Sequence, residues 1–445
     1  MRYEVSDFAE ANELFHRNGW TDGLPVIPPT PERVASFLEA AGLEAEDRIG
    51  FYRERRLPIL AGKLAVNAVM AGCLPDYFPV VVAIVEAMLD ADFPIHVVNS
   101  STGSFTLGFI INGPVRQALG MNCSGNMLGP GNRANSTIGR AIRLIQLNVM
   151  RSIPGAGGAE PEHGRPVLDR SMMGQPAKYA GYHIVENEEA YPALKPLHVE
   201  LGFEPADSTV TLLMVAGYHW ICAHGEQTPE EWVDTMAHYV VGAGMLHEQG
   251  YGALLLPLEN ARLFAKAGWS KADIRQALYE RTRRSVAWVK SNGWKVTLQR
   301  RRFEPVEPGD EERFLAMAGS PGPQDLLVTV CGGPAGSWPY YLYGGGGPAK
   351  AITRRIRFRE AASTVSPAIV QALEPLRAML AADGYALSLR IEGGNHLIAR
   401  IDAESSVCAD CLVSKDIMRR YVEEALRAAS SAAPPSFVLE YPKDH

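Results

Sequence analysis

Thr106-Leu107-Gly108-Phe109-Ile110-Ile111 is an apolar run of strand length, and a helical pattern follows it over Asn135–Val149. The same alternation continues outward. Strand-like runs stand at His96–Val98, Thr209–Val215, Ala253–Leu256 and Leu326–Val330, and helical patterns at Val80–Leu89, Pro229–Val241 and Lys271–Arg283. Strands alternating with helices predict an α/β main body, a mixed sheet with helices, over residues 1–362 in one lobe or two. Thr30 reads as the cap of an early helix, with Pro31 in its first turn and Glu32 where the helix dipole favours a carboxylate. Residues 154–196, rich in Gly and Pro, read as a long excursion or lid.

From residue 363 the texture changes. Ser366-Pro367 starts a helix in which Ile369, Leu373, Leu376 and Leu380 recur at helical spacing, and Gly384 stops it. Strands are expected at Ala386–Ile391 and Leu397–Ile401, around the turn Glu392-Gly393-Gly394-Asn395. Cys408-Ala409-Asp410-Cys411 follows. Ser414 then caps a helix with Ile417, Tyr421 and Ala425 on one face, and a last strand is expected at Phe437–Tyr441. Residues 363–445 therefore read as a small appended α+β domain.

A chain of 445 residues with 47% hydrophobic and 21% charged residues is an ordinary globular composition, long enough for two or three domains. A formal net charge of −7 leaves no broad basic face, which argues against a nucleic-acid binder. The start, Met1 to Asp7, lacks the apolar core of a signal peptide, and Phe78–Leu89 is too short to span a bilayer. Six cysteines in so long a chain make no disulfide framework, so a cytoplasmic protein with reduced thiols and no membrane segment is expected.

Cys408 and Cys411, next to a helix start that favours thiolate, suit three uses: a reversible disulfide, half of a metal or iron–sulfur site, or a sulfur relay. The pattern Leu373-x2-Leu376-Arg377-x2-Leu380-x2-Asp383-Gly384, two strands, Cys408-x2-Cys411 and a capped helix resembles the NifU-like C-terminal iron–sulfur domain. That resemblance implies that Cys408 and Cys411 hold a labile cluster, shared between two copies in a homodimer, or pass clusters on. Leu412 stands where that family usually has proline. In the larger part, the segments Trp20-Thr21-Asp22-Gly23-Leu24-Pro25, Gly62-Lys63 with Asn67–Cys73, and Gly129–Asn135 resemble a bacterial family of unassigned chemistry, some of whose members are loosely linked with thiol or selenol redox proteins. The likeness implies a thiol or selenol redox partner protein but supplies no reaction.

Asn99 to Ser136 is the densest candidate site in the body. Small polar residues and glycines crowd there, among them Asn99, Ser101, Asn112, Asn126, Asn132, Arg133 and Asn135, and such segments let backbone amides approach a ligand. Asn132, Arg133 and Asn135 open a helix, where free N–H groups and a guanidinium suit a carboxylate or phosphate. Cys123 lies inside this cluster as a candidate nucleophile, and Cys331 leads a glycine-rich stretch after a strand as another. Cys73 reads as a packing residue. His219, Cys222 and His224 form a second metal-like group, with His238 and His247 near in sequence, although no standard zinc spacing appears. No nicotinamide or ATP motif is present.

The sequence thus predicts an enzyme on a small polar or anionic substrate, with a C-terminal iron–sulfur site or redox dithiol for redox or sulfur-transfer chemistry. An iron–sulfur or metal carrier that recognises a client protein is a second reading, and a cofactor-free lyase or hydratase a third.

Overall fold

The computed structural model describes residues 3–155, 168–223, 227–244, 251–293, 305–317, 322–344, 349–358, 367–392, 396–403, 413–429 and 437–441. Two compact units divide the chain, Met1–Arg357 and Phe358–His445.

Local signals start the helices of the first unit. Thr30 accepts the Arg33 amide to cap Pro31–Ala41, and Ser270 with Asp273 forms a reciprocal capping box on Lys271–Arg281. Two apolar helices, Ala61–Ala71 and Phe78–Met88, and the apolar face of the amphipathic helix Arg133–Asn148 pack into the main core with a seven-stranded mixed sheet. We label its strands β1 (Thr106–Asn112), β2 (Tyr182–Val185), β3 (Thr209–Trp220), β4 (Gly252–Leu256), β5 (Leu326–Val330), β6 (Tyr340–Gly344) and β7 (Ile352–Arg355), and the helices Arg133–Asn148 and Lys271–Arg281 are α1 and α2. The order across the sheet is β2-β1-β3-β6-β4-β5, with β7 also on β3. The pairs β1/β2 and β4/β5 are parallel and the rest antiparallel.

The strands at the two ends of this path meet. The Asn187 amide, just past β2, donates to the Val330 carbonyl of β5 at 2.8 Å, so the sheet curls on itself. Alternation then sorts the side chains: Leu254, Leu256, Leu326 and Val328 face an outer core with α2 and helix Pro229–Gly244, while Ala253, Leu255, Leu327 and Leu342 join the main core. α1 lies close on β2: a β-carbon at Gly139 would fall 2.0 Å from His183 Nε2 of that strand.

Two local expectations change. His96–Val98 lies in a helix, Ile95–Ser100, since a short apolar run carries no period to separate helix from strand. The Gly- and Pro-rich segment supplies β2, whose four residues are too few to stand out beside turn residues.

The second unit runs Pro367–Ala382, Tyr385–Glu392, His396–Ala403, Lys415–Ala429 and Phe437–Glu440. Its first two strands pair antiparallel, and the last joins the second in parallel. Leu373, Leu376 and Leu380 fill its core as their spacing predicts. On helix Lys415–Ala429 the buried stripe is Met418, Val422 and Leu426, whereas Ile417 and Tyr421 are exposed. Cys408, Cys411 and Leu412 lie outside the described residues. Among the described residues no helix is long and apolar enough to cross a membrane.

Candidate functional site

Two-residue spacing builds an aromatic wall. Tyr218 and Trp220 share one face of β3, Tyr340 of β6 pairs with Trp220, and Leu255 of β4 pairs with Tyr340 on its other side. With Tyr179, Tyr182 and Trp338 they line a cavity of about 750 Å³. Tyr218 and Tyr340 stack at 5.3 Å with 13° between planes, Tyr182 meets Tyr218 edge-on at 5.9 Å, and Trp338 meets Trp220 edge-on at 5.6 Å. Tyr218, Trp220 and Trp338 are still 47%, 49% and 47% exposed, so large apolar rings are gathered open to solvent around one hollow.

Two glycine-bearing loops add to the lining. The Gly332 amide donates to the Cys123 carbonyl at 2.9 Å, and a β-carbon on Gly333 would lie 3.4 Å from the Gly125 α-carbon. Gly332, at φ +93°, holds a backbone conformation that side chains disfavour. Among the described lining residues there is no Asp, Glu, Lys, Arg or His. The polar side-chain groups offered include phenols and the Asn126 amide; burial pushes Tyr182 up to about 12 and raises Tyr340, so both phenols are neutral at ordinary pH. The Tyr182 hydroxyl donates to Gln175 Oε1 at 3.2 Å.

Cys331 belongs to this wall and is buried. Burial raises its thiol pKa, with the Glu186 charge adding to the effect. Cys123 is also raised by burial, against the opposing charge of Arg116. Neither thiol is a ready nucleophile in this setting, because the thiolate is the reactive form.

A buried ionic network fixes the strand end that carries Cys331. Glu186 Oε1 accepts from Lys271 Nζ at 2.5 Å and from the Val330 amide at 3.3 Å. Its other oxygen accepts from Asn112 Nδ2 at 2.6 Å and from the Leu197 amide at 2.7 Å. Arg116, also buried, donates to the Glu186 carbonyl at 2.6 Å and pairs with Glu188 and Glu189. Paired and bonded in this way, the charges escape the cost of lone burial.

No protein-family model, curated protein or solved structure matches the chain.

The polar cluster of residues 99–136 mostly serves the fold. Asn99 accepts from Gln146 at 2.9 Å, and Ser101 Oγ accepts the Gly103 amide at 3.0 Å. Asn112 donates to Glu186 and Glu188. Asn132 caps α1 and donates to the Gly120 carbonyl, Arg133 grips the Gly72 carbonyl at 3.0 and 2.9 Å, and Asn135 exchanges hydrogen bonds with the Asn122 backbone. Of these seven residues only Asn126 lines the cavity, its amide donating to the Pro130 carbonyl at 2.7 Å. Unpaired buried amides are costly, so asparagines this close to turns are taken by neighbouring carbonyls.

His219 points away from the cavity, its ring 5.1 Å from that of Tyr343, and burial lowers its pKa. Cys222 lies past the end of β3, and His224 and His247 fall outside the described residues. Among the described residues no group of three or more His, Cys, Asp or Glu is placed to hold a metal. Cys73 is buried, with its thiol pushed up to about 12 by burial.

The aromatic wall, the Glu186–Lys271 pair and Arg116 escaped the sequence reading. Aromatic residues at i, i+2 in 218–220 and 338–340 were the available signal for the wall. An acidic run, 186–189, directly after a short apolar strand was the signal for the network.

Proposed function

We propose that the first unit binds a flat, uncharged, ring-bearing small molecule in the aromatic cavity and acts on it as an enzyme. The observation that carries this reading is the ring cluster, Tyr218, Trp220, Trp338 and Tyr340, left open around a hollow of about 750 Å³. That volume falls within the roughly 300–1,000 Å³ of small-molecule sites. Without an ionic side chain among the described lining residues, a neutral ligand is favoured, since a buried charge there would go uncompensated. The phenol hydroxyls supply the polar contacts that orient it.

For the second unit the reading rests on sequence: Cys408 and Cys411 serve as a redox dithiol or as ligands of an iron–sulfur cluster. As a dithiol, one oxidation to the disulfide delivers two electrons and two protons to a reducible substrate, and an external dithiol reductant restores the pair.

Titration of tryptophan emission with neutral indole, 2-naphthol and a benzoquinone, beside benzoate, tests the first part. Saturable quenching by a neutral compound is expected, weakened about tenfold or more in Tyr218→Ala and removed in the Trp220→Phe/Trp338→Phe double variant. Quenching that saturates with none of them would sink the proposal. Anaerobic reconstitution with iron and sulfide, then visible absorption, separates cluster from dithiol. Cys408→Ser/Cys411→Ser is expected to abolish both cluster uptake and the disulfide seen in peptide mass spectra.

A further inference from the structure

A second cavity, of about 410 Å³, adjoins the aromatic one along a helical turn, Pro176–Lys178. Pro176 and Ala177 line the aromatic cavity, Lys178 lines the second, and Tyr179 lines both. The chemistry changes across this turn. Arg143, Lys178, His16 and Asp22 all face the second cavity.

The charges there do not cancel. Arg140 grips both oxygens of Asp22 at 2.9 Å through Nε and Nη2, which closes that pair. Asp169 meets two cations through one oxygen: Lys178 Nζ lies 2.7 Å from Oδ2, and Arg143 Nη2 lies 3.4 Å from the same atom. Its Oδ1 is taken by the Ser171 amide at 3.1 Å and hydroxyl at 2.6 Å. Among the described residues one positive charge is therefore left over.

Arg143 carries the vacancy. A guanidinium has five N–H donors in a planar fork, and that single long contact is its only one to a protein acceptor among the described residues. Burial works against the charge of both cations and lowers their pKa values, so an anion that returns compensation would be held.

We propose that this cavity is a second binding site, for a small organic carboxylate gripped by the Arg143 fork and by Lys178. One surplus charge matches a monoanion, and a planar fork matches a carboxylate. Leu147 and Ile153, also on the wall, offer apolar surface to the rest of the molecule.

The test is calorimetric titration of the full chain with acetate, benzoate, succinate and inorganic phosphate at constant ionic strength. Saturable binding of a monocarboxylate at about millimolar Kd or tighter is expected. It should weaken about tenfold or more in Arg143→Gln and in Lys178→Met, each checked for native circular dichroism and melting. Arg143 and Lys178 are 12% and 14% exposed, and Lys178→Met, at the other cation on Asp169, decides the matter if Arg143→Gln does not fold. No saturable carboxylate binding, unchanged affinity in folded Lys178→Met, or binding of phosphate alone would overturn the proposal. Trp220 and Trp338 line only the aromatic cavity. Carboxylate binding that leaves their emission unchanged supports a separate site, whereas binding lost in Tyr218→Ala assigns the ligand to the aromatic cavity and overturns it.

Discussion

His183 sits buried beside the Phe109 ring, and burial drives its imidazole from 6.5 down to about 4. The unfolded chain binds that proton near pH 6.5 and the folded chain only near 4. Its contribution is therefore complete above pH 6.5 and is lost as the pH falls toward 4, by roughly 3 kcal/mol. Asp22 and Asp169 act lower on the scale. Burial alone would raise both, but Arg140 for the first and Lys178, Ser171 and Arg143 for the second hold them below the ordinary range. Their stabilisation is present above that range and lost in acid. Urea unfolding at pH 7 and 4.5 should show the loss, and His183→Gln should flatten the upper part of the profile; an unchanged slope there would remove His183 from the account. The thiols make a second residue-level prediction. With its pKa near 12 instead of 9.0, Cys73 has about a thousandfold less thiolate at neutral pH. Native alkylation with iodoacetamide, read by peptide mass spectrometry, should leave Cys73 and Cys331 unlabelled while Cys123 reacts slowly. Rapid native labelling of Cys331 would contradict its burial.

Elements are joined here by charge as well as by apolar packing. Lys271 at the start of α2 reaches Glu186 beyond β2, and the same carboxylate takes the amide at the end of β5. Lys271→Met leaves a buried carboxylate without its cation and should cost about 3–5 kcal/mol. Adding Glu186→Gln should restore part of that loss, as urea midpoints would show; a single variant as stable as the parent would mean the pair is not buried in solution. Element choice was uneven in its legibility. Thr30-Pro31, Ser270 and the Leu373–Leu380 stripe announced their helices through caps and period. On Lys415–Ala429 two apolar stripes lie one residue apart, and only packing into the core shared with helix Pro367–Ala382 and the strands selects Met418, Val422 and Leu426 over Ile417 and Tyr421.

At the scale of the whole chain, each unit has its own hydrophobic core: Leu373, Leu397 and Val422 serve the second, while the first gathers around its seven-stranded sheet. Separate cores imply separate cooperativity. A fragment ending at Arg357 should fold alone and keep the tryptophan quenching of the intact chain, and calorimetry of the full chain should resolve two transitions. A fragment that is unfolded by circular dichroism would show that the first unit depends on the second.

What the sequence determined by itself was local: the alternation of strands and helices, their caps, and the change of texture near residue 363 all depend on neighbours within a few positions. Charge and composition likewise set the broad class. The site was decided by tertiary structure. Tyr218, Trp220, Trp338 and Tyr340 become one wall only when β3 and β6 pair in register, and Glu186, Lys271 and Asn112 meet only when the sheet curls. The asparagines of residues 99–136 look like binding groups in sequence because their partners, backbone carbonyls brought near by folding, cannot be seen there. A side chain's type states what it can bond; which partner claims it is settled by long-range contacts.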